Sequence, residues 1–118
     1  MDCKLTPKPQ LEPNDKESSI SDPADTLEFR HMGYGLSTRL WPATTPSARA
    51  SVLIAHGMGE HGGRYQPLAQ VLNRAGYHVL APDLRGHGRS RPEHCAPGDM
   101  GYDGWQRSLL DLHLLQQW

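Results

Sequence analysis

Two short apolar runs constrain this chain more than any other feature. The first is Ser51-Val52-Leu53-Ile54-Ala55 and the second is Tyr77-His78-Val79-Leu80-Ala81. Neither shows clean alternation, which predicts strands covered on both faces, as in a parallel sheet. Between them Tyr65, Leu68, Ala69, Leu72 and Ala75 recur at helical spacing. Pro67 falls in the first turn, where a missing N–H is tolerated, and Gly76 stands at the C-cap position. Strand, loop, helix, strand makes a βαβ unit, hence parallel pairing and a right-handed crossover.

Upstream, Leu27-Glu28-Phe29-Arg30 alternates apolar and polar, Gly33-Tyr34-Gly35 marks a turn, and Leu36-Ser37-Thr38-Arg39-Leu40-Trp41 resumes the strand pattern. Together they predict a β-hairpin. Residues 1–25 are rich in Pro, Lys, Glu, Asp and Ser and read as a disordered leader, with an ordered domain from residue 26 to residue 118. Leu84 to Gly101 is a Gly/Pro-rich loop. From about Tyr102 a second helix is expected, with Asp103 as its cap. Trp105, Leu109, Leu112 and Leu115 mark one face, widened by Leu110, Leu114 and Trp118, and that stripe reads as core against the sheet. A second βαβ unit is thus started, and its closing strand is not reached within the chain.

A net charge of −1 over 118 residues gives no reason to expect a nucleic-acid or anionic-membrane partner. Arg85, Arg89 and Arg91 read as a solvated turn. The two cysteines, Cys3 and Cys95, are too few for a disulfide framework and point to a reducing compartment. No secretory signal is visible, and no stretch approaches the ~20 apolar residues of a membrane helix. The expectation is a soluble cytoplasmic protein with one small domain.

The loop after the first apolar run reads His56-Gly57-Met58-Gly59-Glu60-His61-Gly62-Gly63. Gly57 to Gly62 fits G-x-G-x-x-G, and Asp83 ends the next strand where a ribose-binding acid would stand. A nucleotide-binding oxidoreductase is therefore an alternative. Three features oppose it. Glu60 places a carboxylate where a pyrophosphate would sit. The helix begins only near Tyr65, after the motif. A hairpin precedes the strand. A P-loop also fails, because Gly63-Arg64 replaces Lys-Ser/Thr. A metal site among His56, His61, His87, His94, Cys95 and His113 lacks any H-x-x-x-H or C-x-x-C spacing, so none is expected.

The oxyanion reading uses more of these residues. A tetrahedral acyl intermediate needs preorganised N–H donors aimed at its charged oxygen. A strand ending in His56-Gly57 lets the backbone turn sharply, and Gly59 keeps side chains clear. The Met58 N–H can then face the site.

Two motifs at this spacing, His56-Gly57-Met58-Gly59-Glu60-His61-x-x-Arg64-Tyr65 and Asp83-Leu84-Arg85-Gly86-His87-Gly88-Arg89-Ser90, resemble the monoacylglycerol lipase/lysophospholipase branch of the α/β-hydrolases. The same family is also labelled serine aminopeptidase-like. The resemblance covers about Leu27 to Trp118, and Trp41-Pro42 also resembles the family's opening hairpin. It implies an N-terminal portion of an α/β-hydrolase sheet and cofactor-free hydrolysis of lipid-like or small esters through an acyl-enzyme. By position it implies Met58 as one oxyanion N–H donor, supported by His56, Gly57 and Gly59, with Glu60 and Arg64 at the pocket mouth. Asp83, Gly86, His87, Gly88 and Ser90 become a structural turn.

The family nucleophile sits in G-x-S-x-G, followed by an acid and a histidine. No such motif occurs here, and Gly88-Arg89-Ser90-Arg91-Pro92 is a poor imitation. Ser108 reads as a surface or packing serine. The chain is thus expected to stop before all three triad residues and to be inactive alone. A non-catalytic fragment or interaction protein is a further alternative.

Overall fold

A computed structural model describes residues 25–31 and 33–117. The expected leader lies outside these residues except for Asp25, which already opens the first strand.

The hairpin is β1 (Asp25–His31) and β2 (Tyr34–Trp41), antiparallel from His31 opposite Tyr34 to Asp25 opposite Leu40. β3 (Ser51–Leu53) leads through the glycine loop and a 3-10 turn (Gly62–Tyr65) to α1 (Gln66–Arg74). β4 (His78–Pro82) returns beside β3, in parallel, with Val52 opposite Val79. It also pairs antiparallel with β2, so the strand order is β1-β2-β4-β3. A second 3-10 turn (Gly88–Ser90) precedes α2 (Gly104–Gln116). The sheet joins one antiparallel hairpin to one βαβ unit.

The core gathers Trp41, Ile54, Ala69, Val79 and Ala81, with Val52, Tyr65, Leu72 and Tyr77 packed against it. Val52 and Ile54 on one strand and Val79 and Ala81 on the other share the α1 face by alternation. Leu53 and Leu80 fall on the opposite face and are only half-buried. Neither apolar run is therefore covered on both faces along its length. β3 is shorter than expected, and Ser51 is exposed, because β3 is an edge strand with β4 on one side alone.

α1 ends in a Schellman motif. Tyr77 N–H reaches Leu72 O at 3.2 Å, Gly76 N–H reaches Asn73 O at 3.0 Å, and Gly76 adopts φ +98. Leu68 and Ala75 are exposed rather than inward. Asn73 takes the inward place, donating to the carbonyls of Trp41, Pro42 and Tyr77 and so tying the helix to both neighbouring strand ends.

α2 departs most from the sequence pattern. Gly104, Ser108, Asp111 and Leu115 face inward, while Trp105, Leu109 and Leu110 are exposed. Of the expected Leu/Trp stripe, Leu115 is core and Leu112 and Leu114 are half-buried, while the rest of the described stripe stands in water. Asp103 precedes the helix in the left-handed region, φ 50, and makes no side-chain cap bond, because capping needs an extended backbone there. Trp118 lies outside the described residues.

Candidate functional site

The loop between β3 and α1 lies at the carboxyl ends of two parallel strands, where open α/β sheets place ligands. Three of its amides are held by side chains. Gly57 N–H donates to Glu60 Oε2 at 2.9 Å, Gly59 N–H to His87 Nε2 at 3.2 Å, and Gly62 N–H to Asp83 Oδ1 at 2.6 Å. Glu60 N–H turns back to Gly57 O at 3.1 Å. The Met58 N–H, between two of these held residues, has no hydrogen-bond partner among the described residues, and Met58 is 64% exposed.

Glu60 is the loop's internal brace. Its carboxylate accepts Tyr65 O–H at 2.6 Å and Gly57 N–H, and pairs with exposed Arg64 at 3.3 Å. The Tyr65 and Gly57 hydrogen bonds hold its carboxyl below the usual carboxylate range and keep it ionised. The same bond pushes the Tyr65 phenol up.

His56 and His87 carry the loop from beneath. His56 Nδ1 bonds Gly57 O at 2.8 Å, and its Nε2 accepts Leu84 N–H at 2.9 Å. His87 Nδ1 bonds Arg85 O at 2.8 Å, and its Nε2 takes the Gly59 amide. A ring that accepts at Nε2 while facing a carbonyl at Nδ1 is neutral with its proton on Nδ1. Burial pushes the His56 pKa below its ordinary value.

The turn after β4 is knitted around Asp83. Besides Gly62 it receives Arg89 N–H at 2.9 Å and lies 3.5 Å from the Arg39 guanidinium. Ser90 donates its hydroxyl to the Asp83 carbonyl at 2.6 Å and accepts Ser37 N–H at 2.9 Å, so this buried serine has no free role. Tyr34 O–H donates to Ser90 O and accepts Gly86 N–H. Two glycines are forced. A Cβ on Gly86, at φ +74, would run into Asp99 O, and one on Gly88, at φ +49, would meet Asp83 Oδ2 at 2.5 Å.

Arg85 is not in a solvated turn. It is buried, stacked 4.4 Å over the Tyr34 ring, and bound by two nitrogens to Asp111 of α2 at 2.6 and 3.0 Å. Asp111 also meets His31 Nδ1 at 2.6 Å. The chemistry of this cluster was missed from sequence, although one signal existed: Asp111 is the single carboxylate within the apolar stretch Ser108–Leu115. Cys95 is buried. Ser108 is buried, and its Oγ has no partner among the described residues.

Sequence comparison decides the family. The description "Serine aminopeptidase, S33" matches residues 46–117, from the loop before β3 to the end of α2. The chain belongs to this α/β-hydrolase family. It is 44% identical over 79 residues to the monoglyceride lipase of Rattus norvegicus, covering 66% of this chain and 25% of that protein. It is 43% identical over 60 residues to Protein K6 of Vaccinia virus (strain Western Reserve), covering 51% of this chain and 72% of K6. A thermostable carboxyl esterase from Bacillus coagulans superposes with a TM-score of 0.70 at 29% identity, over 80% of this chain and 31% of the esterase. The chain thus spans about a quarter of the rat lipase it matches. These likenesses place it on the monoacylglycerol lipase-like branch.

The dinucleotide alternative loses its acid. Asp83 is buried and committed to Gly62, Arg89 and Arg39, with nothing left for a ribose. Among the described residues no group of three His, Cys, Asp or Glu could hold a metal, and no helix is long and apolar enough to cross a membrane.

Proposed function

We propose that residues 56–65 form the oxyanion loop of a serine-type carboxylic ester hydrolase acting on lipid-like esters such as monoacylglycerols or lysophospholipids. Support comes from relatives named as monoglyceride lipases, and from one geometric observation: a Met58 N–H with no partner among the described residues, between amides that the protein itself holds. In the reaction a serine oxygen attacks the ester carbonyl. The carbonyl π electrons move onto oxygen, and Met58 N–H with a second donor binds that charge. Collapse expels the alcohol and leaves an acyl-serine, which water then hydrolyses. The serine, acid and histidine come from outside these 118 residues, since no G-x-S-x-G occurs among them. Glu60 and Arg64 brace the loop at the pocket mouth.

The test has two arms. The 118-residue chain alone is expected to take no label from a fluorophosphonate probe, and a labelled serine in it would overturn this reading. The second arm joins the chain to the matching remainder of the rat monoglyceride lipase. There Met58→Pro, which removes the N–H, should cut kcat for a monoacylglycerol by about 10²–10³, while Met58→Ala, which keeps it, should be mild. Circular dichroism checks that each variant is folded. Equal damage from both substitutions in folded protein would mean that the amide is not the operative group.

A further inference from the structure

We propose that His87 is a positioning residue for the oxyanion loop, acting through its hydrogen bond to the Gly59 amide rather than by touching substrate. This rests on the reading of residues 56–65 as an oxyanion loop. An oxyanion donor works only if its position is fixed before charge develops. The Met58 N–H has no hydrogen-bond partner among the described residues, so its direction is set by its neighbours. Gly57 is held by Glu60, but Glu60 belongs to the same loop and moves with it. Gly59 is held by His87, which belongs to the turn after β4. The bond from Gly59 to His87 therefore sets the Met58 amide relative to the sheet, across 28 residues of sequence.

The acceptor itself is rigidly mounted. His87 is buried, its N–H bonds Leu84 O, its carbonyl takes Ser90 N–H, and its Nδ1 is turned onto Arg85 O. The flanking glycines are pinned, Gly86 against Asp99 and Gly88 against Asp83. An imidazole fixed at both the main chain and Nδ1 can offer Nε2 in one direction only. A second imidazole makes the reciprocal tie: the His56 ring lies 5.0 Å from that of His87 and, from the loop side, accepts the Leu84 N–H of the turn after β4.

The experiment reads the Gly59 amide in the full 118-residue chain by hydrogen exchange and the His87 tautomer by ¹⁵N NMR. The expected result is an Nδ1-protonated ring, a protected Gly59 amide, loss of that protection in His87→Ala, and its retention in His87→Gln, whose side-chain oxygen can accept in place of Nε2. In the wild type, the Gly59 amide nitrogen should show a scalar coupling to His87 Nε2 across their hydrogen bond, a readout that survives even if a variant fails to fold. In the chain joined to the lipase remainder, His87→Ala should lower kcat about tenfold with KM little changed, as for one lost hydrogen bond, and His87→Gln should recover most of it. A Gly59 amide equally protected in His87→Ala, or without that coupling in the wild type, overturns the positioning role. If His87 governs the Gly59 amide but Met58→Pro and Met58→Ala turn over alike, the clamp stands and the oxyanion reading falls.

Discussion

The turn after β4 and the helix α2 use polar residues in opposite ways relative to their sequence. In the turn, the residues that look like loop filler, Asp83, His87 and Ser90, are buried and each makes at least two hydrogen bonds. In α2, the residues that look like core, Trp105 and Leu109, stand in water, while Ser108 and Asp111 face inward. A buried polar group needs partners, and those it finds are often main-chain amides that sequence does not display. Hydrophobic periodicity locates a helix, but cannot orient it when a buried ion pair competes for the inward face.

The sharpest way to break this contrast is to remove the ion pair that turns α2. Asp111 holds Arg85 with two bonds and also meets His31, with its own side chain about 1% exposed. Asp111→Leu leaves the Arg85 guanidinium buried without its counter-ion, which should cost about 3–5 kcal/mol in denaturant unfolding. The double variant Asp111→Leu/Arg85→Met should recover most of that loss, since an apolar pair of similar volume needs no compensation. If the single variant unfolds no more easily than the wild type, the inward orientation of α2 is not set by this pair.

A smaller effect tests the turn. Gly88→Ala forces a Cβ toward Asp83 Oδ2 at a positive φ. It should cost about 1–3 kcal/mol through backbone strain and displacement of the carboxylate that holds Gly62 and Arg89. Gly98→Ala serves as the control, with positive φ but open space around it, and should cost less. Equal losses at the two sites would mean that backbone angle alone matters and the packing around Asp83 does not.

Acid probes the same turn more gently. The His56 pKa is lowered by burial, so the folded protein binds its proton less readily than the unfolded chain does. Stability from this group is fully present above the unfolded value of about 6.5 and is lost as pH falls below it. The wild type should show a shallow decline in unfolding free energy on that side, and His56→Gln should flatten it. An unchanged slope in the variant would shift the acid sensitivity to other groups.

The sequence made the hairpin, the βαβ order and the Gly76 helix end legible because each has a local cause: alternation, an apolar run, a residue that tolerates positive φ. It also brought out the two glycine motifs that the fold sets face to face. It did not show that Tyr65 braces Glu60, that Asn73 caps two strand ends, or that Arg85 is buried. Those depend on pairings 5 to 52 residues apart, from the Tyr65–Glu60 bond to the Gly86–Tyr34 bond that closes the Arg85 turn. The edge position of β3 was equally hidden, since strand order is a property of the whole sheet and not of Ser51–Ala55.

The smallest expected effect is on the exposed face of α2, and it is informative because it should be almost nothing. Trp105 and Leu109 are 57% and 51% exposed, so most of their surface is not removed from water by folding. Trp105→Ser and Leu109→Lys should each shift unfolding free energy by no more than about 0.5 kcal/mol, the usual range for surface changes. Leu115→Ala, on the inward face at 1% exposure, should cost about 2–5 kcal/mol. The same two surface variants should raise the concentration at which the chain stays monomeric in size-exclusion chromatography, because contiguous exposed apolar surface drives association. A loss at Trp105 or Leu109 as large as that at Leu115 would mean that α2 is turned with its leucines inward, as periodicity alone would have it, and that the Arg85–Asp111 pair does not orient the helix.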